Sequence, residues 1–207
     1  KGHRSLKIKI SYNNQAKDHR LRMLFPTGLR SVTHHAESIF EVAERANVPS
    51  SEWTNPSNCQ HQQGFIAIDE AGAGLAIANL GLNEYEVLND GHNTIAVTLL
   101  RCVGELGDWG VFPTEEAQCI GERHAELAVI PYDGSADRHR ASEETASFQT
   151  PWRFVQSEVR QGRLPSRFGM FEWSGGNLLL SAVKVAEATG DTIYRWYNTS
   201  LEPTVLT

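Results

Sequence analysis

Leu6-Lys-Ile-Lys-Ile-Ser-Tyr12 alternates apolar and polar residues with a period of two. In an extended chain successive side chains point to opposite faces, so Leu6, Ile8, Ile10 and Tyr12 share one face and Lys7, Lys9 and Ser11 the other. A strand buried on one side only is the habit of antiparallel sheets. The pattern then recurs between turn residues. Asn13-Asn14 reads as a turn, 18–25 as a second strand ended by Pro26-Thr-Gly28, and 39–45 as a third. Further strands are predicted at 64–68, 75–79, 85–88, 94–101, 124–132, 178–186 and 192–198. About ten strands separated by Gly, Pro, Asn and Asp argue for a mainly β fold, an antiparallel β-sandwich. Residues 137–162 break the rhythm. Ala141-Ser-Glu-Glu-Thr-Ala146 predicts one short helix over 137–147, limited by Pro151, and 160–168 reads as a loop.

Several function classes are excluded by composition. The 207 residues carry 19 basic and 25 acidic side chains, a net charge of −6, which disfavours a nucleic-acid or anionic-membrane surface. No run of about 18 apolar residues offers a membrane-spanning helix. Lys1-Gly-His-Arg-Ser-Leu-Lys7 has neither an initiator Met nor an apolar signal core, and Thr199 to Thr207 stops in strand-like sequence. Both ends are expected to belong to a longer chain. Cys59, Cys102 and Cys119 are widely spaced, form no C-x-x-C pair, and suit a reducing, cytoplasmic setting.

The chemistry-bearing residues are sparse. His34-His35, with His19 and His61, would point to opposite faces of a strand and lacks zinc-ligand spacing, so solvated loop histidines are expected. No nucleophile elbow occurs; Trp173-Ser-Gly-Gly176 reads as a turn. Glu84 and Glu86 flank Tyr85 and share one strand face, too close along one edge to sit either side of a glycosidic bond, so a solvated or hydrogen-bonding role fits them better. Glu115-Glu116 and Glu143-Glu144 read as helix or turn surface. Trp53, Trp109, Trp152, Trp173 and Trp196 lie in separate segments, which favours packing over sugar platforms. Arg101 stands out at the end of the apolar run Ile95-Ala-Val-Thr-Leu-Leu100. Its planar fork could hold acceptors of a neighbouring loop or second domain, or close an intrachain ion pair with Asp108, Glu84 or Glu86.

A set of blocks in fixed order carries a resemblance. Asp18-His-Arg-Leu-Arg22 with Leu24-Phe-Pro-Thr-Gly28 comes first, then Phe40-Glu-Val42 with Arg45, and Gln62-Gln-Gly-Phe65. Gly81-Leu-Asn-Glu-Tyr-Glu-Val87, Leu99-Leu-Arg101, Ala117-Gln-Cys-Ile-Gly121, Ser181-Ala-Val-Lys184 and Arg195 with Tyr197-Asn198 follow. Together they resemble the C-terminal region of family 38 glycoside hydrolases, the retaining α-mannosidases, in the bacterial branch that includes mannosylglycerate hydrolases. The resemblance implies a large supersandwich-like C-terminal domain spanning 1–207. It also implies a non-catalytic part of a larger enzyme, which buttresses the N-terminal catalytic domain and helps to wall the active site. Zinc and the catalytic aspartate of such enzymes lie in the N-terminal part, so no catalytic or metal residue carries over to this chain. Leu100-Arg101 matches the family's arginine segment near the sugar pocket. Arg101, with Asp108 as its partner, is therefore the expected substrate-side site for an α-mannoside. A homo-oligomer is left open. The alternative function is a stand-alone carbohydrate-binding β-sandwich module.

Overall fold

The computed structural model describes residues 4–52, 58–107, 112–159 and 161–207. Its strands are β1 (Leu6–Asn14), β2 (Arg20–Phe25), β3 (Thr33–Ser38), β4 (Glu41–Ala46), β5 (Cys59–His61), β6 (Phe65–Asn79), β7 (Glu84–Leu88) and β8 (Thr94–Arg101). Two short strands, β9 (Glu105–Leu106) and β10 (Phe112–Pro113), precede β11 (Gly121–Gly134). One helix, α1 (His139–Gln149), and a hairpin, β12 (Leu178–Val185) with β13 (Thr192–Asn198), complete the set.

Every strand pairing is antiparallel. A five-stranded sheet in the order β1-β11-β6-β3-β4 faces a four-stranded sheet in the order β2-β8-β7-β5. Ala36, Ile66, Ile68, Ile77 and Leu127 from the first sheet meet Tyr85, Val87, Ile95 and Val97 from the second, with Ile8, Ile10, Met23 and Phe25 closing the edges. The fold is thus mainly β, an antiparallel sandwich with one short α-helix. Each fully buried Ile or Val of this layer contributes roughly 1.5–3 kcal/mol through removal of its surface from water.

Strand β6 is buried on both faces over 65–69 and 76–79, which explains the apolar runs at its two ends. Ile66, Ile68 and Ile77 enter the sandwich, while Phe65, Ala67, Ala76 and Ala78 face the opposite side. There Ala128, Ile130 and Tyr132 of β11 join them under Ala141 and Phe148 of α1. Small side chains on that face let the helix lie close to the sheet. The helix is preceded by a 3₁₀ turn, Ser135–Asp137, and ends at Gln149, before Thr150-Pro151. It therefore begins and ends slightly later than the sequence pattern suggests.

Two expectations are corrected. The runs 64–68 and 75–79 are one strand, because the Glu70–Gly74 stretch, turn-like in composition, continues the ladder with β11 through a bulge at Tyr132/Gly134. His34 and His35 are not solvated loop residues. They lie on β3, His34 fully buried inside the sandwich and His35 buried on the helix side.

Gly74 sits opposite Tyr132, whose ring covers its Cα. A Cβ there would stand 2.3 Å from Tyr132 Cε2. The ring is fixed by its hydroxyl's hydrogen bond to Asp69, so it has little freedom to move aside. Gly74→Ala is expected to destabilise the chain by about 2 kcal/mol, as overpacking does. Urea denaturation would measure this, and a change below about 0.5 kcal/mol would show that the ring yields.

Candidate functional site

The outer face of the four-stranded sheet carries a ladder of charge. Period-2 geometry puts Arg20 and Arg22 of β2 and Glu84 and Glu86 of β7 on the side away from the core. Strand β8 lies between them and contributes Thr98 and Arg101. A bulge between Leu21 and Arg22 sets the register that pairs Arg20 with Arg101 and Arg22 with Thr98.

Arg101 Nη1 donates to Glu84 Oε2 at 2.5 Å. The other Glu84 oxygen accepts from the Thr98 hydroxyl at 2.8 Å and lies 3.5 Å from Arg20 Nη1. Arg22 pairs with Glu86, and Arg20 Nη2 approaches Glu86 Oε2 at 3.8 Å. Arg20 also donates to Cys59 Sγ at 2.9 Å. Of the partners considered for Arg101, the structure selects Glu84. Asp108 lies outside the described residues.

Burial pushes the Glu84 carboxyl up, but hydrogen bonds from Thr98 and Arg101 and the charges of Arg101 and Arg20 outweigh it and hold the group below the usual carboxylate range. A general acid for glycoside cleavage needs the opposite shift. The ladder therefore holds an array of charges in place, and the Arg101 side chain remains 59% exposed while it pairs with Glu84.

Beside Glu84 opens a cleft of about 800 Å³, lined by Arg45, Asn58, Gln60, His61, Asn83 and Glu84 among others. Arg45 is held there, donating to the His61 carbonyl at 2.6 Å and to the Tyr85 hydroxyl at 3.0 Å. The cleft thus joins the ladder to the buried His34–Tyr85 pair.

One carboxylate does shift upward. Burial raises the Glu37 carboxyl, against hydrogen bonds from the Tyr197 hydroxyl and the Gly64 amide that lower it. Its role is structural: Tyr197 donates to Glu37 at 2.6 Å and Arg195 lies over the Phe40 ring, which seats the β12–β13 hairpin on the β3–β4 turn. Among the described residues no group of three or more His, Cys, Asp or Glu side chains is placed to hold a metal ion.

The tryptophans divide. Trp53 and Trp109 lie outside the described residues, and Trp152 is exposed. Trp173 and Trp196 pack edge-on with centroids 5.9 Å apart, and Tyr194 stacks on Trp196 at 6.0 Å. The Tyr194-Arg-Trp196 spacing places two aromatics on one strand face, a signal in the sequence that separate consideration of each Trp missed.

Comparison with known proteins decides the family. The sequence model of the glycosyl hydrolases family 38 C-terminal domain matches residues 1–105. The chain belongs to this family. A putative mannosylglycerate hydrolase from Halalkalibacterium halodurans is 42% identical over 203 residues, which is 97% of this chain and 22% of that protein. Among solved structures, an α-mannosidase from Enterococcus faecalis is 42% identical with a TM-score of 0.89, covering 99% of this chain and 23% of its own. A family 38 glycosyl hydrolase protein from the same species is 41% identical with a TM-score of 0.88, covering 99% of this chain and 24% of its own. The chain therefore spans less than a quarter of the length of these family 38 relatives.

Proposed function

We propose that residues 1–207 form a single non-catalytic C-terminal β domain of a larger, retaining, zinc-dependent α-mannosidase, where they buttress the catalytic domain and complete one wall of the active site. The observation that carries this reading is the coverage. Almost all of this chain aligns with glycosidases, yet it accounts for under a quarter of each. The catalytic carboxylates and the zinc ligands are assigned to the remaining length. Within this chain the arginine-held Glu84, whose carboxyl is kept below the usual range, is a poor proton donor, which agrees with a supporting role. A cytoplasmic location is supported by the odd number and wide spacing of Cys59, Cys102 and Cys119, which form no C-x-x-C pair.

The substrate-side residue of this domain is Arg101, oriented by Glu84, with Asp108 as a second contact. Hydrolysis of an aryl α-mannoside by the full-length parent, beside this chain alone with added zinc, tests the whole reading. Activity confined to the parent is expected, and hydrolysis by the isolated chain would refute it. In the parent, Arg101→Ala is expected to lower kcat/KM about tenfold, near 1.4 kcal/mol of transition-state stabilisation. The accompanying stability loss should stay below about 1 kcal/mol, because the ion pair is exposed. Unaltered kinetics would remove Arg101 from the site.

A further inference from the structure

Between α1 and β12 the described residues from Pro151 to beyond Met170 have no regular structure. Long unstructured connections inside a compact domain are uncommon and usually functional. This one is apolar and almost naked. Phe154 is 90% exposed, Val155 92% and Val159 104%, and Trp152, Leu164 and Met170 are also exposed. Among the described residues of 151–170, the one hydrogen bond joins the Ser157 hydroxyl to the Glu158 carbonyl. Such a concentration of bare apolar side chains and unpaired backbone groups marks a contact surface.

Both ends of the strap are fixed. At one end, the Thr150 amide caps α1 by donating to the Ala146 carbonyl at 3.0 Å. At the other, Phe171 packs on Tyr194 and Trp196, and Ser174 and Thr207 exchange two backbone hydrogen bonds. The solved α-mannosidase aligns with 99% of this chain. That solved chain is more than four times longer, so it has polypeptide available to cover the strap. The charge pattern narrows what the cover looks like. Residues 151–170 hold Arg153, Arg160, Arg163 and Arg167 against one acid, Glu158, in a chain of net charge −6.

We propose that the strap 151–170 is the docking arm of this domain, lying in an apolar groove with an acidic rim on the rest of the same polypeptide. The inference rests on the reading of the chain as one domain of a longer enzyme. The cover acts in cis. Tethering makes docking intramolecular, with a high effective concentration, so it needs no second copy. The extended backbone adds to the groove's edge by main-chain hydrogen bonds, while Phe154, Val155 and Val159 fill its floor.

Hydrogen–deuterium exchange of the full-length parent enzyme tests this. Amides of 151–170 should exchange at least 100-fold more slowly than an unstructured peptide of the same sequence, to the same extent at low and high enzyme concentration. Val155→Asp in the full chain should speed their exchange about tenfold or more. Exchange at the unstructured rate would overturn the proposal. Protection that appears only as concentration rises would also overturn it, and would assign the strap to contact between copies. The readout is independent of activity. A protected strap in a parent that does not cleave mannosides would refute only the proposed function, and an active parent with an unprotected strap only the docking arm.

Discussion

Replacing Arg138 by Ala is expected to cost about 3 kcal/mol of stability at neutral pH, more than replacing the acid it pairs with. Asp69 lies on the helix-facing side of β6, its side chain only 4% exposed. Arg138, the residue just before α1, grips it with both arms of the guanidinium. Nε donates to Oδ2 at 2.7 Å and Nη2 to Oδ1 at 2.8 Å. The Tyr132 hydroxyl adds a third hydrogen bond at 2.8 Å. Burial alone would push the Asp69 carboxyl up; the hydrogen bonds from Arg138 and Tyr132 and the Arg138 charge reverse that and hold it below its ordinary value. Without Arg138 a buried carboxylate keeps one neutral donor and loses its counter-charge. Without Asp69 the situation differs. Arg138, with its side chain 33% exposed, can turn its charge to water. Asp69→Asn should therefore cost only about 1–2 kcal/mol, since the amide oxygen still accepts from Tyr132. The linkage sign gives a second check. In the unaltered chain the lowered Asp69 pKa contributes stability that is full above the ordinary value of 3.8 and is lost as pH falls through the folded value. In Arg138→Ala that pKa rises, so the deficit shrinks on acidification as Asp69 takes up a proton. Urea unfolding of both variants at neutral and acid pH measures the order. Equal costs, or a deficit constant with pH, would show that burial of the carboxylate does not control the pair.

The sheet strands with apolar alternation were legible because the signal and the structure share one cause. Ile8 and Ile10 in β1, and Ile95 and Val97 in β8, are apolar because that face is dry. Strand β3 was not legible. Thr33-His-His-Ala-Glu-Ser38 offers no apolar alternation, and the burial of His34 depends on Asn47, just after β4, and Tyr85 of β7, partners that no local pattern reveals. The single strand β6 was split by composition, since Gly72 and Gly74 look like a turn while they serve a bulge and a close ring contact. The charge ladder was half legible. Arg20-Leu-Arg22 and Glu84-Tyr-Glu86 have the same period and opposite sign. Their meeting depends on the strand order β2-β8-β7, a non-local fact. For the same reason Arg101 could be singled out, whereas its choice of Glu84 had to come from the fold.

Acidification from pH 7.5 to pH 4 is expected to weaken the fold by roughly 3 kcal/mol through His34 alone. The hydrogen bonds around this residue admit one protonation state. The Asn47 amide nitrogen donates to the Ser31 carbonyl at 2.9 Å, which leaves its oxygen facing His34 Nδ1 at 2.8 Å as an acceptor. His34 therefore carries its proton on Nδ1, and Nε2 accepts from the Tyr85 hydroxyl at 2.6 Å. That hydroxyl in turn accepts from Arg45. A second proton on Nε2 would set two donors on the Tyr85 oxygen, strand the phenolic hydrogen, and add charge beside Arg45. Burial is the largest cause that lowers the His34 pKa. The Asn47 hydrogen bond opposes it, the charges of Arg45 and His35 add to it, and the value falls from 6.5 to about 4. The unfolded chain takes up its proton near 6.5 while the folded chain refuses it, so stability is full above that pH and declines as pH falls toward about 4. His35 is also lowered, by burial and then by Arg138, and adds a loss of the same sign. His34→Gln separates the two: it removes one titration and should flatten the decline over this window by a larger share than His35→Gln does. NMR titration of the His34 ring gives the direct reading. A midpoint near 6.5 in the folded chain would mean that the Asn47–His34–Tyr85–Arg45 chain accepts a proton without penalty, and the acid sensitivity would then lie elsewhere.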